Sequence, residues 1–182
     1  VLLKKWKKQY KNISFEINKK NIHEKNFEKA LNNCDSKFVW LVGDTYKIDE
    51  QLLDKVIFKI KTHSPLFFIV NLKKKIKLFK DSYVDANFAC EKLSGILSCI
   101  SCVIYNKDLL GKIKFEEYRV VDNFHHTVYI LNKLKFHNAR AYWISSSIYM
   151  LPNIEKLKKN WASNPRYVFE VGCKNWILSI NS

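Results

Sequence analysis

Residues 21–71 constrain the fold of this chain more than any other stretch. They contain an amphipathic helix, the wholly apolar run 38–42, an acidic turn at 43–46, a second amphipathic helix and a second apolar run at 66–70. An apolar run without alternating polar residues is typical of a strand that is buried on both faces of a parallel sheet. The order strand, helix, strand therefore predicts a right-handed parallel unit and an α/β fold.

Asp44 follows the first apolar run, where we expect a central strand to end. In open α/β sheets, ligands bind at the carboxyl ends of the strands. A carboxylate at that edge can orient a sugar hydroxyl or hold a divalent cation that bridges a diphosphate. The alternative is an ordinary turn or helix-capping aspartate, because Gly-Asp is common in turns. Asp44 is the centre of the candidate site, and both interpretations stay open.

Periodicity predicts the other elements of the chain. Asp49 is expected to cap the helix of the central unit, Gly95 to interrupt a helical stretch, and Pro152 to open a late helix. No repeat, linker or low-complexity tract is visible, so residues 1–182 are expected to form a single domain. Besides the two apolar runs, the pattern predicts helices at 1–9, 26–31, 52–60, 85–93, 108–113 and 118–134 and extended segments at 13–17, 96–105, 141–144 and 147–150.

Composition indicates a globular chain. Its 182 residues are 47% hydrophobic and 14% aromatic, which is enough for a buried core. Only 4 Gly and 3 Pro are present, which disfavours a many-turned β-sandwich. No apolar run approaches the ~20 residues that span a bilayer, and the first residues lack the features of a signal peptide. These patterns predict a cytoplasmic protein.

The formal net charge of +15 favours an anionic partner, such as a phosphate ligand or an acidic membrane leaflet. It also suggests nucleic acid. However, nearly all of the positive charge is lysine, and only Arg119, Arg140 and Arg166 offer bidentate guanidinium groups. The lysines are also scattered along the whole chain. We therefore expect no nucleic-acid partner.

The five cysteines include one CxxC pair, Cys99 and Cys102. This pair falls inside the predicted strand 96–105, and the chain has no second CxxC that would complete a zinc site. A redox-active pair would instead lie at the start of a helix. The pattern predicts buried structural thiols, consistent with a reducing compartment.

The acidic turn and its surroundings resemble the family 2 glycosyltransferases with the GT-A fold. In that family a helix precedes a strand of the type "yvwllgDDD", whose acidic cluster is the DxD signature; this chain has FVWLVGDTY. The match spans residues 13–161 and is similar to bacterial members that build capsules, lipooligosaccharides or teichoic polymers. It implies a nucleotide-diphospho-sugar transferase fold with a mostly parallel sheet flanked by helices. The similar segments are 26–31, 38–44, 123–126, 142–144 and 152–153.

The resemblance implies roles for individual residues. Asp44 and Thr45 would bind the nucleotide-sugar donor, and Asp44 would also be the metal ligand. Adjacent helical residues point ~100° apart, so at most one of His125 and His126 is expected to face the site. The family's Asn-Phe-x-His pattern implies that it is His126, as a diphosphate contact or a metal ligand. Asp122 would deprotonate the acceptor hydroxyl in an inverting reaction. Half-buried histidines and a surface aspartate are the alternatives.

The chain departs from the family in two places. Tyr46 stands where the last carboxylate of the acidic cluster is expected, and a phenol with a pKa near ~10 is a poor Mg²⁺ or Mn²⁺ ligand. The family's opening strands, which grip the donor base, have no counterpart before Val1. We therefore expect that about sixty preceding residues, the span of two short βα units, are missing and that the chain alone is inactive. Glu116 and Glu117 compete with Asp122 for the role of base.

The resemblance implies transfer of a sugar from a nucleotide-sugar donor to a growing bacterial surface glycan, the acceptor. The enzyme would work in the cytoplasm, with peripheral association at the inner face of the cell membrane. Two alternatives stay open. One is a non-catalytic glycan- or nucleotide-binding remnant of such a domain, and the other is a basic nucleic-acid-binding domain.

Overall fold

A computed structural model describes residues 2–20, 22, 25–73, 76, 80–118, 124–150 and 168–180. The helices are α1 (Leu2–Gln9), α2 (Lys25–Asn32), α3 (Glu50–Thr62), α4 (Ala86–Leu97), α5 (Lys107–Leu110), α6 (His125–Phe136) and α7 (Lys174–Ile180). The strands are β1 (Phe38–Trp40), β2 (Tyr46–Lys47), β3 (Phe67–Leu72), β4 (Ser82–Val84), β5 (Val103–Asn106) and β6 (Ala141–Met150). Two 3₁₀ turns, Ile100–Cys102 and Phe115–Tyr118, and the π-helix Val168–Cys173 complete the described elements.

The six described strands form one mixed sheet in the order β1-β5-β3-β6-β2, with β4 beside β6. Only β3 and β6 pair in parallel, whereas the β1–β5, β3–β5, β4–β6 and β2–β6 pairs are antiparallel. The α/β class is confirmed, but the prediction of a mostly parallel sheet is wrong. Strand β5 lies between β1 and β3 and runs in the opposite direction to both, and β2 and β4 run opposite to β6. A buried strand has the same apolar pattern in either direction, so periodicity could not reveal this.

The core is centred on β3, all six residues of which are buried. Successive side chains of a strand point to opposite faces of the sheet. The Phe67 ring contacts the ring of Tyr129 on α6, with centroids 6.4 Å apart. The Phe68 ring contacts Tyr142, whose hydroxyl accepts a hydrogen bond from Lys59 of α3 at 3.1 Å. Helices α6 and α3 therefore flank opposite faces of the sheet.

Helix boundaries confirm some predictions and correct others. The Asp49 carboxylate accepts a hydrogen bond from the Leu52 backbone N–H at 2.8 Å, so the predicted cap of α3 is confirmed. Helix α4 continues through Gly95 to Leu97, and the predicted interruption is wrong. The predicted strand 96–105 is in fact the end of α4, a 3₁₀ turn and the short strand β5.

The two predicted extended segments near the end of the described sheet form one ten-residue strand, β6. Residues 13–17, predicted as a strand, have no regular structure. The predicted helix opened by Pro152 lies outside the described residues. Among the helices that the structure describes, none has the length and apolar character needed to cross a membrane.

Candidate functional site

A cavity of about 630 Å³ lies beside the segment that follows β1. Its volume is in the range of small-molecule binding sites. The walls come from α2, the segment 41–46, the turn after α4, the start of α6 and the π-helix. Its polar and thiol side chains belong to Asn26, Asp44, Tyr46, Ser98, Cys99, Ser101 and His126.

Asp44 lies at the tip of a turn that is tied to the rest of the protein. The backbone N–H of Tyr46 donates to the Gly43 carbonyl at 3.1 Å and closes the turn. The Gly43 N–H donates to the Ser101 hydroxyl at 3.0 Å, and the Trp40 indole N–H donates to the Ser101 carbonyl at 2.8 Å. These bonds fix the backbone while the Asp44 side chain stays exposed. The turn therefore holds a solvated carboxylate at the cavity wall.

The strand that leads to Asp44 differs from the prediction. Strand β1 lies at the edge of the described sheet and pairs only with β5. Of its three residues, Val39 alone is buried. The run 38–42 is apolar although its strand is not central. Val39 belongs to the core, Phe38, Trp40 and Leu41 pack against it, and Leu41 and Val42 line the cavity. The carboxylate therefore follows an edge strand.

His126 lies in the first turn of α6 and lines the same cavity as Asp44. Its side chain is buried, and Nε2 lies 3.2 Å from the Ser98 carbonyl oxygen. Because a carbonyl only accepts, Nε2 carries the proton of this bond. Phe124, directly before the helix, has a left-handed backbone with φ 60° that turns the chain into α6. His125 is not among the cavity-lining residues, as the ~100° spacing predicts.

Of the other two predicted site residues, one is described by the structure. Thr45 is half-buried and does not line the cavity. Asp122 lies outside the described residues, so its role as a base stays a prediction. Its competitors are exposed: Glu116 pairs with Lys25 at 2.7 Å and Glu117 with Lys114 at 2.5 Å.

One pair of cavity residues was missed by the sequence analysis: Tyr46 and Cys99. The Tyr46 hydroxyl lies 3.3 Å from the Cys99 sulfur. Burial raises the pKa of Tyr46 well above its usual value, and the hydrogen bond with Cys99 adds to the rise. The hydrogen bond from Cys102 is the largest cause that lowers the pKa of Cys99, to about 6; Tyr46 lowers it further, and burial opposes both. The CxxC spacing was the available signal, but the apolar residues around it predict a strand.

The cysteines also correct a prediction. Cys102 is buried as expected, but Cys34 and Cys173 are exposed and Cys90 and Cys99 are half-buried. The prediction of uniformly buried structural thiols is therefore wrong. Apolar neighbours in the sequence do not decide whether a thiol faces the core or a cavity.

The cavity residues do not fit the acidic metal site that the resemblance implies. Asp44 is the one carboxylate among the described lining residues. Tyr46 offers no anionic oxygen, because burial raises the pKa of its phenol. Across the described chain, no group of three or more His, Cys, Asp and Glu side chains is placed to hold a metal ion.

The structure thus brings two predicted site residues, Asp44 and His126, to one cavity and adds Tyr46 and Cys99 to them. A function must be inferred from this cavity and from the residues that carry the family resemblance. Comparison with known proteins found no family model, no curated protein and no solved structure that matches the chain.

Proposed function

We propose that this chain belongs to a GT-A glycosyltransferase that transfers a sugar from a nucleotide-sugar donor to a growing bacterial surface glycan, such as a capsule or lipooligosaccharide. The observation that supports this most is the meeting of Asp44 and His126 in one cavity. Both were singled out from the sequence for the same ligand, although they are far apart in the chain. The proposed site is the donor's ribose and diphosphate pocket.

Asp44 contributes a hydrogen-bond acceptor. An ionised carboxylate accepts from hydroxyl groups and repels a diphosphate, so it belongs on the sugar or ribose side of the donor. Its turn is closed by the Tyr46–Gly43 hydrogen bond and anchored on Ser101, which keeps the carboxylate in place without a bound ligand. Asp44 thereby orients the donor and does not take part in proton transfer.

The start of α6 contributes positive potential. The amino end of a helix carries a partial positive charge and suits phosphate groups. Because Nε2 of His126 donates to Ser98, a diphosphate oxygen would accept a hydrogen bond from Nδ1, which carries a proton only in the charged imidazole. A charged imidazole and the helix end would stabilise the negative charge that grows on the leaving diphosphate.

The acceptor side of the reaction rests on the sequence alone. Asp122 is the proposed base that deprotonates the acceptor hydroxyl. The proposed location is cytoplasmic, with the basic surface in peripheral contact with the acidic inner leaflet of the cell membrane. The glycan acceptor would then be reached at that membrane face.

Nucleotide binding by the chain tests the proposal. Titration calorimetry with UDP, GDP and CDP should show saturable binding of at least one of them to the wild-type chain. Asp44→Asn should weaken that binding at least about tenfold, because a charge-assisted hydrogen bond is worth about 1.5–3 kcal/mol. Asp54→Asn is the matched control, since Asp54 is exposed on α3 and does not line the cavity. Equal affinities for the three proteins, or no binding of any nucleotide, would refute the assignment.

A non-catalytic nucleotide-binding module is the second candidate, and the engagement of Tyr46 with Cys99 favours it. Tyr46, which replaces the family's last carboxylate, is hydrogen-bonded to the Cys99 thiol and is therefore not available to a metal. The two candidates differ in turnover. Release of nucleoside diphosphate from a bound nucleotide sugar, lost in Asp122→Asn, indicates an enzyme.

A further inference from the structure

Cys99 and Cys102 lie on the turn that joins α4 to β5, and they differ in exposure. Cys99 lines the cavity, whereas Cys102 is wholly buried behind it. The backbone N–H of Cys102 donates to the Cys99 carbonyl at 2.9 Å. A turn of this type brings its first and fourth Cα atoms within about 7 Å, which is close to the upper limit of the range that a disulfide spans. The side chains of the two cysteines are also hydrogen-bonded to each other, so their sulfurs lie close together.

The surroundings of Cys99 favour its thiolate. Tyr46 approaches from the acidic turn, with its hydroxyl 3.3 Å from the sulfur, and Cys102 is hydrogen-bonded from the same 3₁₀ turn. Asp44 and His126 are the other ionisable groups of the cavity lining. The bond from Cys102, assisted by Tyr46, lowers the pKa of Cys99 to about 6 against the effect of burial. Near pH 7 the thiolate, which is the nucleophilic form, is then the main species.

We propose that Cys99 is a redox-reactive thiolate that hydrogen peroxide oxidises within the cavity, and that Cys102 resolves the product to an intramolecular disulfide. This proposal does not depend on the proposed glycosyltransferase activity. It departs from the expectation from the sequence that this CxxC pair is structural.

The chemistry has two steps. The Cys99 thiolate attacks one oxygen of hydrogen peroxide, the O–O bond breaks, and Cys99 sulfenic acid and hydroxide form. The Cys102 thiol then attacks the sulfenic sulfur, an S–S bond forms, and water leaves. The two thiols are oxidised by two electrons in total, and the peroxide is reduced. A dithiol reductant reverses the disulfide by exchange.

The burial of Cys102 explains the order of the steps. A wholly buried thiol is shielded from a solution oxidant, so the peroxide meets Cys99 first. Oxidation also removes the hydrogen bond between Cys99 and Tyr46, which belongs to the turn that carries Asp44. Formation of the proposed disulfide therefore changes a contact between two residues that line the cavity.

Cys34 is a natural internal control. It is exposed, and its thiol donates to the Ala30 carbonyl at 3.3 Å. No cysteine lies within three residues of it in the sequence, so it has no partner like that of the CxxC pair. If exposure alone governed oxidation, Cys34 would react faster than the half-buried Cys99.

The test is a peroxide time course on the whole chain near pH 7, read by mass spectrometry of peptides. We expect a disulfide between Cys99 and Cys102 to form at least about tenfold faster than Cys34 is oxidised. In Cys102→Ser, Cys99 should stop at a sulfenic acid that dimedone traps. Tyr46→Phe should slow the alkylation of Cys99 by iodoacetamide at least about threefold and leave Cys34 unchanged.

Two results would overturn the proposal. One is oxidation of Cys34 at the same rate as Cys99 or faster. The other is the absence of both the disulfide in the wild-type chain and the dimedone adduct in Cys102→Ser. Circular dichroism of each variant establishes that it is folded before its rates are compared.

Discussion

Asp81, which lies outside the cavity, makes several polar contacts. Its carboxylate accepts hydrogen bonds from the Ser145 N–H at 3.0 Å and the Ser145 hydroxyl at 2.7 Å. Lys55 and Lys59 of α3 pair with it at 2.9 Å and 3.4 Å. Ser145 lies in a bulge of β6, where the pairing with β3 shifts between Val70 and Asn71. Asp81 therefore connects α3 to an irregularity of the sheet.

The Asp81 carboxylate makes the free energy of unfolding depend on pH under acidic conditions. Burial by itself would raise the pKa of Asp81, but the bonds from Lys55 and Ser145 outweigh it and lower the pKa to about 2. The ordinary value is 3.8, so Asp81 stabilises the fold above that pH, and its contribution is lost as the pH falls through about 2.

We predict that Asp81→Asn lowers the free energy of unfolding by about 1–2 kcal/mol near pH 6, because the network loses its charge. The difference from the wild-type chain should shrink as the pH falls from about 4 to about 2. Urea unfolding at several pH values measures it, with the exposed Asp54→Asn as control. A difference that is constant with pH would contradict the assigned pKa.

At the scale of single elements, α4 shows how a helix tolerates a residue that usually interrupts one. Gly95 lies in the last turn of the helix, and nothing lies within 4 Å of a Cβ built there. Asp85 caps the amino end of the helix: its carboxylate accepts a hydrogen bond from the Phe88 N–H at 2.8 Å. Its buried residues Ala89, Leu93, Ile96 and Leu97 hold it against the core. Packing thus outweighs the low helix propensity of one glycine.

We predict that Gly95→Ala raises the free energy of unfolding by about 0.5–1 kcal/mol, because alanine loses less backbone entropy in a helix. Gly111→Ala is the contrasting variant. Its Cβ would also meet nothing within 4 Å, but its φ of +63° is unfavourable for alanine, so we expect a loss of about 1 kcal/mol. Thermal unfolding of both variants measures the two signs. Destabilisation by Gly95→Ala would show that α4 needs the glycine for a reason beyond its backbone.

At the scale of the whole molecule, the excess of positive charge is the main electrostatic feature. The chain has 32 Lys and Arg against 17 Asp and Glu. Some of the acidic residues form ion pairs with nearby lysines, as Asp81 does with Lys55 and Lys59. The remaining like charges repel one another across the surface, which destabilises a compact state.

We predict that the melting temperature rises when NaCl is increased from about 10 mM to about 100 mM. The screening length then falls from about 30 Å to about 10 Å, which weakens long-range repulsion more than close ion pairs. Scanning calorimetry measures the shift, and the same scans on Asp81→Asn separate the local network from the global charge. A melting temperature that falls with salt would mean that attractive pairs dominate the surface.

The sequence by itself determined the features that depend on local order. The alternation of helices with apolar runs placed the chain in the α/β class, and the Asp49 cap of α3 was predicted because capping needs only neighbouring residues. Asp44 was also singled out from the sequence as a turn carboxylate, and His126 from the family resemblance. The predicted helix 118–134 placed His126 in its middle, whereas the structure places it in the first turn of α6.

The tertiary structure alone decided which residues meet. Strand β5 lies between β1 and β3, so the expected parallel pair is separated and β1 becomes an edge strand of the described sheet. The turn that joins α4 to β5 brings Ser101 into contact with Gly43 and Cys99 into contact with Tyr46. Each contact joins residues more than fifty positions apart in the sequence. Periodicity reports which side chains are apolar but not the direction or neighbours of a strand. For that reason the cavity and its thiol pair followed only from the fold.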